Sequence, residues 1–122
     1  VLASIDNDEC LSMLGAVYEA KVFQLAHMLA EVGVDGIICS PQELDILRQQ
    51  PWADKLLKVV TGVQPTWAGG REETLTPEQL IRAGAGCLVV GPPITQPPAE
   101  IDGPVTAALM IAAETRTALR GG

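Results

Sequence analysis

Short unbroken apolar runs alternate along the chain with longer stretches in which apolar residues recur every three or four positions. Residues 1–5 are the first such run; they end in the turn-prone Asp6-Asn7-Asp8 and predict a buried strand. Over residues 17–32, Val22, Leu25, Ala26, Leu29 and Val32 share one helical face, and Gly33 stands where a C-cap glycine belongs. This is the clearest predicted helix. Residues 34–39 (VDGIIC) predict a second strand. Ser40-Pro41-Gln42-Glu43 then supplies an N-cap hydroxyl, a proline at the first helical position and a glutamate at the third, a capping box that opens a helix to about residue 50. Residues 58–61 (KVVT) predict a third strand, and the glycine-rich residues 62–73 a loop. Thr76-Pro77-Glu78-Gln79 repeats the capping signature ahead of a helix that ends at Ala83 and is closed by Gly84. Residues 87–90 (CLVV) predict a fourth strand. A proline-rich stretch, 92–104, leads into a last helix over 105–119.

Continuous apolar strands that alternate with amphipathic helices indicate a parallel sheet with outer helices, made of right-handed crossover units. The expected α/β fold is therefore a (βα)4 chain, a single half-barrel domain over residues 1–122. A closed TIM (β/α)8 barrel takes about 250 residues, so this chain supplies half of one. The alternative is an open four-stranded α/β sheet, but no Gly-x-Gly-x-x-Gly turn follows the first strand. Four parallel strands with apolar faces leave two open edges and an uncovered core face, which something must cover. The expected cover is the other half of a barrel or a second copy of the chain.

Composition narrows the function classes. With 8 Lys+Arg against 15 Asp+Glu the net charge is −7, and Tyr18, Phe23, Trp52 and Trp67 are the only aromatics. Nucleic-acid binding needs phosphate-neutralising cations and stacking platforms, so that class is set aside. The longest weakly polar stretch, 105–113, is far shorter than the roughly 20 residues that span a bilayer. The opening VLASIDNDEC has no basic n-region and no long apolar stretch. Cys10, Cys39 and Cys87 are an odd, widely spaced set without zinc-site spacing, which reads as reduced thiols in a cytoplasmic protein, with Cys39 and Cys87 as small buried hydrophobes. His27 has no second histidine to join in a metal site and reads as a surface residue off the apolar stripe. Asp6, Asp8 and Glu9 read as turn and helix N-terminal charges. Trp67, in the long loop, either covers the sheet rim or closes a ligand pocket.

Four segments in register resemble one family. VLASID at 1–6, DGIICSPQE at 35–43, GVQPTWAGG at 62–70 and TPEQLIRAGAGCLVVGPPITQ at 76–96 are similar to the C-terminal half of bacterial orotidine 5'-phosphate decarboxylase, the last enzyme of UMP synthesis. The resemblance implies a homodimeric (β/α)8 barrel with its active site at the C-terminal ends of the strands and neither metal nor organic cofactor. It also implies a carboxy-lyase reaction in which an alternating Lys and Asp array, in a D-x-K-x-x-D motif of the N-terminal half, stresses the substrate carboxylate and protonates C6. The motif is absent here: Lys21, Lys55 and Lys58 are the only lysines, and none has an Asp two residues before and three after. No catalytic residue is therefore assigned.

The resemblance assigns to this half the grip on a nucleotide monophosphate, orotidine 5'-phosphate or UMP. A phosphate dianion needs backbone N–H donors and a cation. Gly91 matches the glycine of the family's phosphate-binding Gly-Arg, but Pro92 stands in place of the arginine, which removes a guanidinium and an N–H together. Arg71 falls at or next to the family's phosphate-binding glutamine and is the candidate replacement charge, against a plain reading as a solvated charge beside Glu72 and Glu73. Ser4 retains a match near the pyrimidine, whereas Ala3 replaces the usual threonine. Thr61 replaces the proline of the family's T-P-G motif, Gly62 is preserved, and Gln64 replaces an arginine. The substitutions cluster around the ligand and spare the helix faces.

The function expected from these residues is an orotidine 5'-phosphate decarboxylase-like chain that carries the nucleotide-binding half and is inactive alone. The rival is a non-catalytic, self-associating half-barrel with weak or no affinity for phosphorylated ligands. A third expectation is a fragment of a longer product, since Val1 opens directly on a strand without an initiator methionine.

Overall fold

The computed structural model describes residues 5–69 and 75–121. Helices α1 (Asn7–Leu14) and α2 (Tyr18–Glu31) precede strand β1 (Gly36–Cys39). Helix α3 (Pro41–Leu47) and a 3-10 turn (Pro51–Lys55) then lead to β2 (Leu57–Val60). A second 3-10 turn (Thr66–Ala68) and α4 (Pro77–Arg82) lead to β3 (Cys87–Leu88), which is followed by a short α5 (Pro92–Thr95) and the long α6 (Gly103–Gly121). The sheet has three parallel strands in the order β1-β2-β3, with Gly36 opposite Leu57, Cys39 opposite Val60, and Val60 opposite Leu88. The small parallel sheet with outer helices agrees with the expected α/β class, and the sheet is not closed.

Three of the four expected strands are present: those over 34–39 and 87–90 are shortened, and the one over 58–61 is shifted by one residue to Leu57–Val60. The first, over residues 1–5, lies outside the described residues except for Ile5, which is not in a strand. The capping boxes at Ser40 and Thr76 form as expected: Ser40 Oγ accepts from Glu43 N–H at 3.2 Å and Thr76 Oγ1 from Gln79 N–H at 3.2 Å. Helix α1 was not among the predicted elements, although Asp6, Asp8 and Glu9 read as turn and helix N-terminal charges. Asp6-Asn7-Asp8 is no free turn: Asp6 Oδ1 accepts from Glu9 N–H at 2.8 Å and Glu9 Oε2 from Asp6 N–H at 3.1 Å, a third capping box with its carboxylates at the positive helix end. The helix expected to reach residue 50 stops at Leu47, and the chain turns again at Pro51, whose fixed φ starts the 3-10 segment. Part of the proline-rich stretch is helical as well, because Pro92 and Pro93 occupy first-turn positions where no intrahelical N–H is needed.

Alternation in the strands decides which face is core. Ile37, Cys39 and Val60 are buried against the helices with Ala26, Leu44, Leu47 and Leu80, while Ile38, Leu57 and Val89 are 60%, 51% and 48% exposed on the other face. The expectation that Cys87 is buried fails. It is exposed, because β3 is an edge strand and nothing among the described residues covers that side. Cys10 and Cys39 are buried, and all three thiols are free.

Candidate functional site

Parallel strands bring three turns to one end of the sheet. Ser40 follows β1, Thr61 and Gly62 follow β2, and Gly91 and Pro92 lie three and four residues beyond the end of β3. Register makes them neighbours: Thr61 N–H donates to the Cys39 carbonyl at 3.1 Å, and Val89 N–H to the Val60 carbonyl at 2.8 Å. Gly62 has φ +74°, a left-handed turn that a side chain resists, and it packs beside Pro41, whose Cδ would lie 3.7 Å from an added Cβ. Of the six residues the sequence singles out, the structure thus brings Thr61, Gly62, Gly91 and Pro92 to a common end. Ser4 and Arg71 lie outside the described residues.

The Gly91 turn is poorly supplied with donors. Pro92 and Pro93 have no N–H, and the next amides are used internally: Ile94 and Thr95 N–H both donate to the Gly91 carbonyl, at 2.9 and 3.1 Å, and Gln96 N–H to the Pro92 carbonyl at 2.8 Å. An added Cβ on Gly91 would meet nothing within 4 Å, so the glycine leaves open space beside the turn.

Beneath the same end sits a buried polar network that the sequence did not reveal. Tyr18, at the start of α2, is held by its backbone N–H, which donates to Asn7 Oδ1 at 2.9 Å, and its hydroxyl hydrogen-bonds the side chains of Ser40 and Glu43. Glu43 is fully buried, and its Oε1 accepts from Ser40 N–H at 3.2 Å. The starts of α1, α2 and α3 are therefore tied together. Burial, and next the Glu43 carboxylate, raise the Tyr18 hydroxyl pKa; the same two causes push the Cys39 thiol up to about 11. The capping spacing Ser40…Glu43 was a visible signal for part of this network. Tyr18 had none, because only the packing of α2 on α3 brings it there.

Other candidates resolve simply. His27 is half-exposed, stacked on Phe23 at 6.1 Å, edge-on to Trp52 at 4.9 Å and 3.8 Å from Glu31. Trp67 is half-buried in its 3-10 turn. Among the described residues no group of three or more His, Cys, Asp or Glu is arranged to hold a metal ion. Nor, among them, is any helix long and apolar enough to cross a membrane.

Fold and turns define a parallel α/β protein of strand–helix units, with its loops gathered at the C-terminal ends of the strands. Within that class the chain belongs to the orotidine 5'-phosphate decarboxylase / HUMPS family, whose model matches residues 1–108. This is a TIM-barrel family. The chain is 38% identical to the orotidine 5'-phosphate decarboxylase of Actinobacillus succinogenes over 115 residues, covering 89% of this chain and 49% of that protein. It is 50% identical to the enzyme of Gloeothece citriformis over 99 residues, 78% of this chain and 42% of that one. With the Haemophilus influenzae (strain 86-028NP) enzyme the identity is 41% over 107 residues, 83% and 46% of the two chains. The chain spans about half the length of these relatives or less.

Proposed function

We propose that the chain is the nucleotide-holding half of an orotidine 5'-phosphate decarboxylase-type barrel, inactive by itself. The observation that carries this reading is the juxtaposition of the Thr61-Gly62 and Gly91-Pro92 turns at the strand ends, in a chain matched by the family over residues 1–108. In this reading Gly91 lets the backbone approach the substrate phosphate, and Thr61 and Gly62 border the same ligand. Ser4 lies near the pyrimidine, Arg71 supplies positive charge, and the N-terminal half of a barrel supplies the Lys/Asp array. Phosphate contacts remote from the reacting carbon then add transition-state binding. No organic cofactor enters this reading.

One observation favours the rival of a half-barrel with weak or no phosphate binding. Two successive prolines and two inward-turned amides leave the Gly91 turn with little to offer a dianion. Calorimetric titration with UMP separates the two. Pro92→Arg adds a guanidinium and an N–H, and is expected to tighten UMP binding by about tenfold if the turn faces phosphate. Unchanged affinity in that variant rules out the phosphate role. Release of CO2 from orotidine 5'-phosphate by the purified chain alone would refute the assignment of the proton donor to another half.

A further inference from the structure

We infer that Tyr18 is a positioning residue for the ligand end of the sheet: its hydroxyl locks the Ser40–Glu43 cap, and the locked cap holds Pro41 against Gly62, so that the turn after β2 keeps its shape. The inference deepens the proposed function and rests on it.

The chain carries its own comparison. Three helices open with a capping box, at Asp6–Glu9, Ser40–Glu43 and Thr76–Gln79. The first and third close on the surface with two side chain to backbone bonds each, which is all that a helix start needs. The second is sunk into the protein: Glu43 is fully buried, and a side chain from another helix joins it. A buried carboxylate has to be matched by donors, a demand that capping alone does not make. Tyr18 meets it. A carboxylate can only accept, so the Tyr18 O–H donates to Glu43, and the Ser40 hydroxyl, which accepts from the Glu43 N–H, is left to donate to the Tyr18 oxygen. Tyr18 is itself fixed, because Asn7 Oδ1 accepts from its backbone N–H at 2.9 Å.

What the lock holds lies one residue away. The residues on either side of Ser40 both meet the turn after β2: the Cys39 carbonyl accepts from Thr61 N–H at 3.1 Å, and Pro41 Cδ lies 3.7 Å from the place of a Gly62 Cβ. Gly62 sits at φ +74°. Glycine populates both signs of φ about equally, so a contact from outside has to select this form. The Pro41 ring, with its own φ fixed and its N-terminal neighbour pinned in the cap, supplies that contact. Tyr18 thus acts on Gly62 through Ser40 and Pro41.

Tyr18→Phe removes one oxygen and keeps the ring. Amide exchange in the chain reads its effect at both ends of the β1–β2 pairing: Thr61 N–H bonds the Cys39 carbonyl at the ligand end, and Leu57 N–H bonds the Asp35 carbonyl at 3.0 Å at the other. General loss of stability speeds both alike, whereas loss of positioning speeds Thr61 selectively. The expected result is a rise of at least about tenfold in the Thr61-to-Leu57 rate ratio in Tyr18→Phe, a rise in the same direction in Asn7→Ala, and no change in Thr76→Ala, which opens a cap that has no tyrosine. UMP titration of the same proteins is expected to show binding weakened about tenfold in Tyr18→Phe. An unchanged ratio in Tyr18→Phe overturns the inference, and so does a raised ratio with UMP affinity intact. If the unsubstituted chain binds no UMP, the nucleotide reading fails and the ratio alone decides whether Tyr18 holds the turn.

Discussion

Replacing Gly36 by alanine tests the close approach of β1 to β2, the packing on which the sheet end and its turns depend. A Cβ built on Gly36 lies 2.6 Å from the Leu57 carbonyl oxygen and 2.8 Å from Leu57 Cβ, where ordinary contact begins near 3.4 Å. The strands must therefore part by about 0.8 Å at this level. Leu57 N–H donates to the Asp35 carbonyl at 3.0 Å, so the same movement carries this bond beyond hydrogen-bonding distance. Overpacking costs roughly 1–3 kcal/mol and the lost bond about 1 kcal/mol, for a total of about 2–4 kcal/mol. Gly86 offers the control. Its added Cβ would run into Leu57 Cδ1, but that atom is the end of a flexible, half-exposed side chain that can turn away. Urea unfolding followed by circular dichroism should show Gly36→Ala far less stable than Gly86→Ala. Adding Leu57→Ala should rescue Gly86→Ala and leave Gly36→Ala unrescued, because alanine keeps the carbonyl and the Cβ that clash. Equal costs for the two glycine variants, or rescue of both, would refute the reasoning.

Two further outcomes follow from the polar network under the strand ends. Ser40→Ala removes the acceptor for the Glu43 N–H and a partner of the Tyr18 hydroxyl; it should cost about 1 kcal/mol in thermal or urea unfolding, with Ser40→Thr close to wild type. The Cys39 thiol, pushed up to about 11 by burial and by Glu43, is held protonated in the folded chain, so its contribution is complete below the ordinary thiol value of 9.0 and drains away as pH rises toward 11. Stability measured between these limits should fall with pH and fall less steeply in Cys39→Val, with Tyr18, also raised, supplying part of the remaining slope. An unchanged slope in that variant contradicts the assignment.

Much of the fold was legible because helix starts carry local chemistry. Ser40…Glu43 and Thr76…Gln79 mark two helix starts to the residue, since the side chains that close each cap lie within four positions of one another. Asp6…Glu9 is the same device, yet the aspartates and asparagine also fit a turn, and α1 was missed for that reason. Long-range packing is where sequence reading stopped. Nothing local distinguishes Cys39 from Cys87, both in apolar runs; one is buried under α3 and the other sits on an uncovered edge. The candidate site divides in the same way. Gly62 and the missing donor at Pro92 are readable from residue type, whereas the inward turn of the Ile94 and Thr95 amides onto Gly91 is a property of the folded turn.

The strands GIIC and LKVV, with Val89 beyond β3, are apolar at positions of both parities, and a strand needs that only when both faces are covered. Helices α2, α3 and α4 cover one face here. Ile38, Leu57 and Val89 remain half-exposed on the other. Burying such a side chain fully is worth about 1.5–3 kcal/mol, so completing the burial of these three is worth roughly 2–5 kcal/mol. That sum is a large share of the 5–15 kcal/mol by which a domain is ordinarily stable. A cover on this face would therefore stabilise the chain appreciably, independently of the proposed role of the Gly91-Pro92 turn. In the proposed reading, stability and ligand binding can then be lost separately: a substitution such as Pro92 acts at the proposed ligand end, while the apolar face of the strands stays open among the described residues.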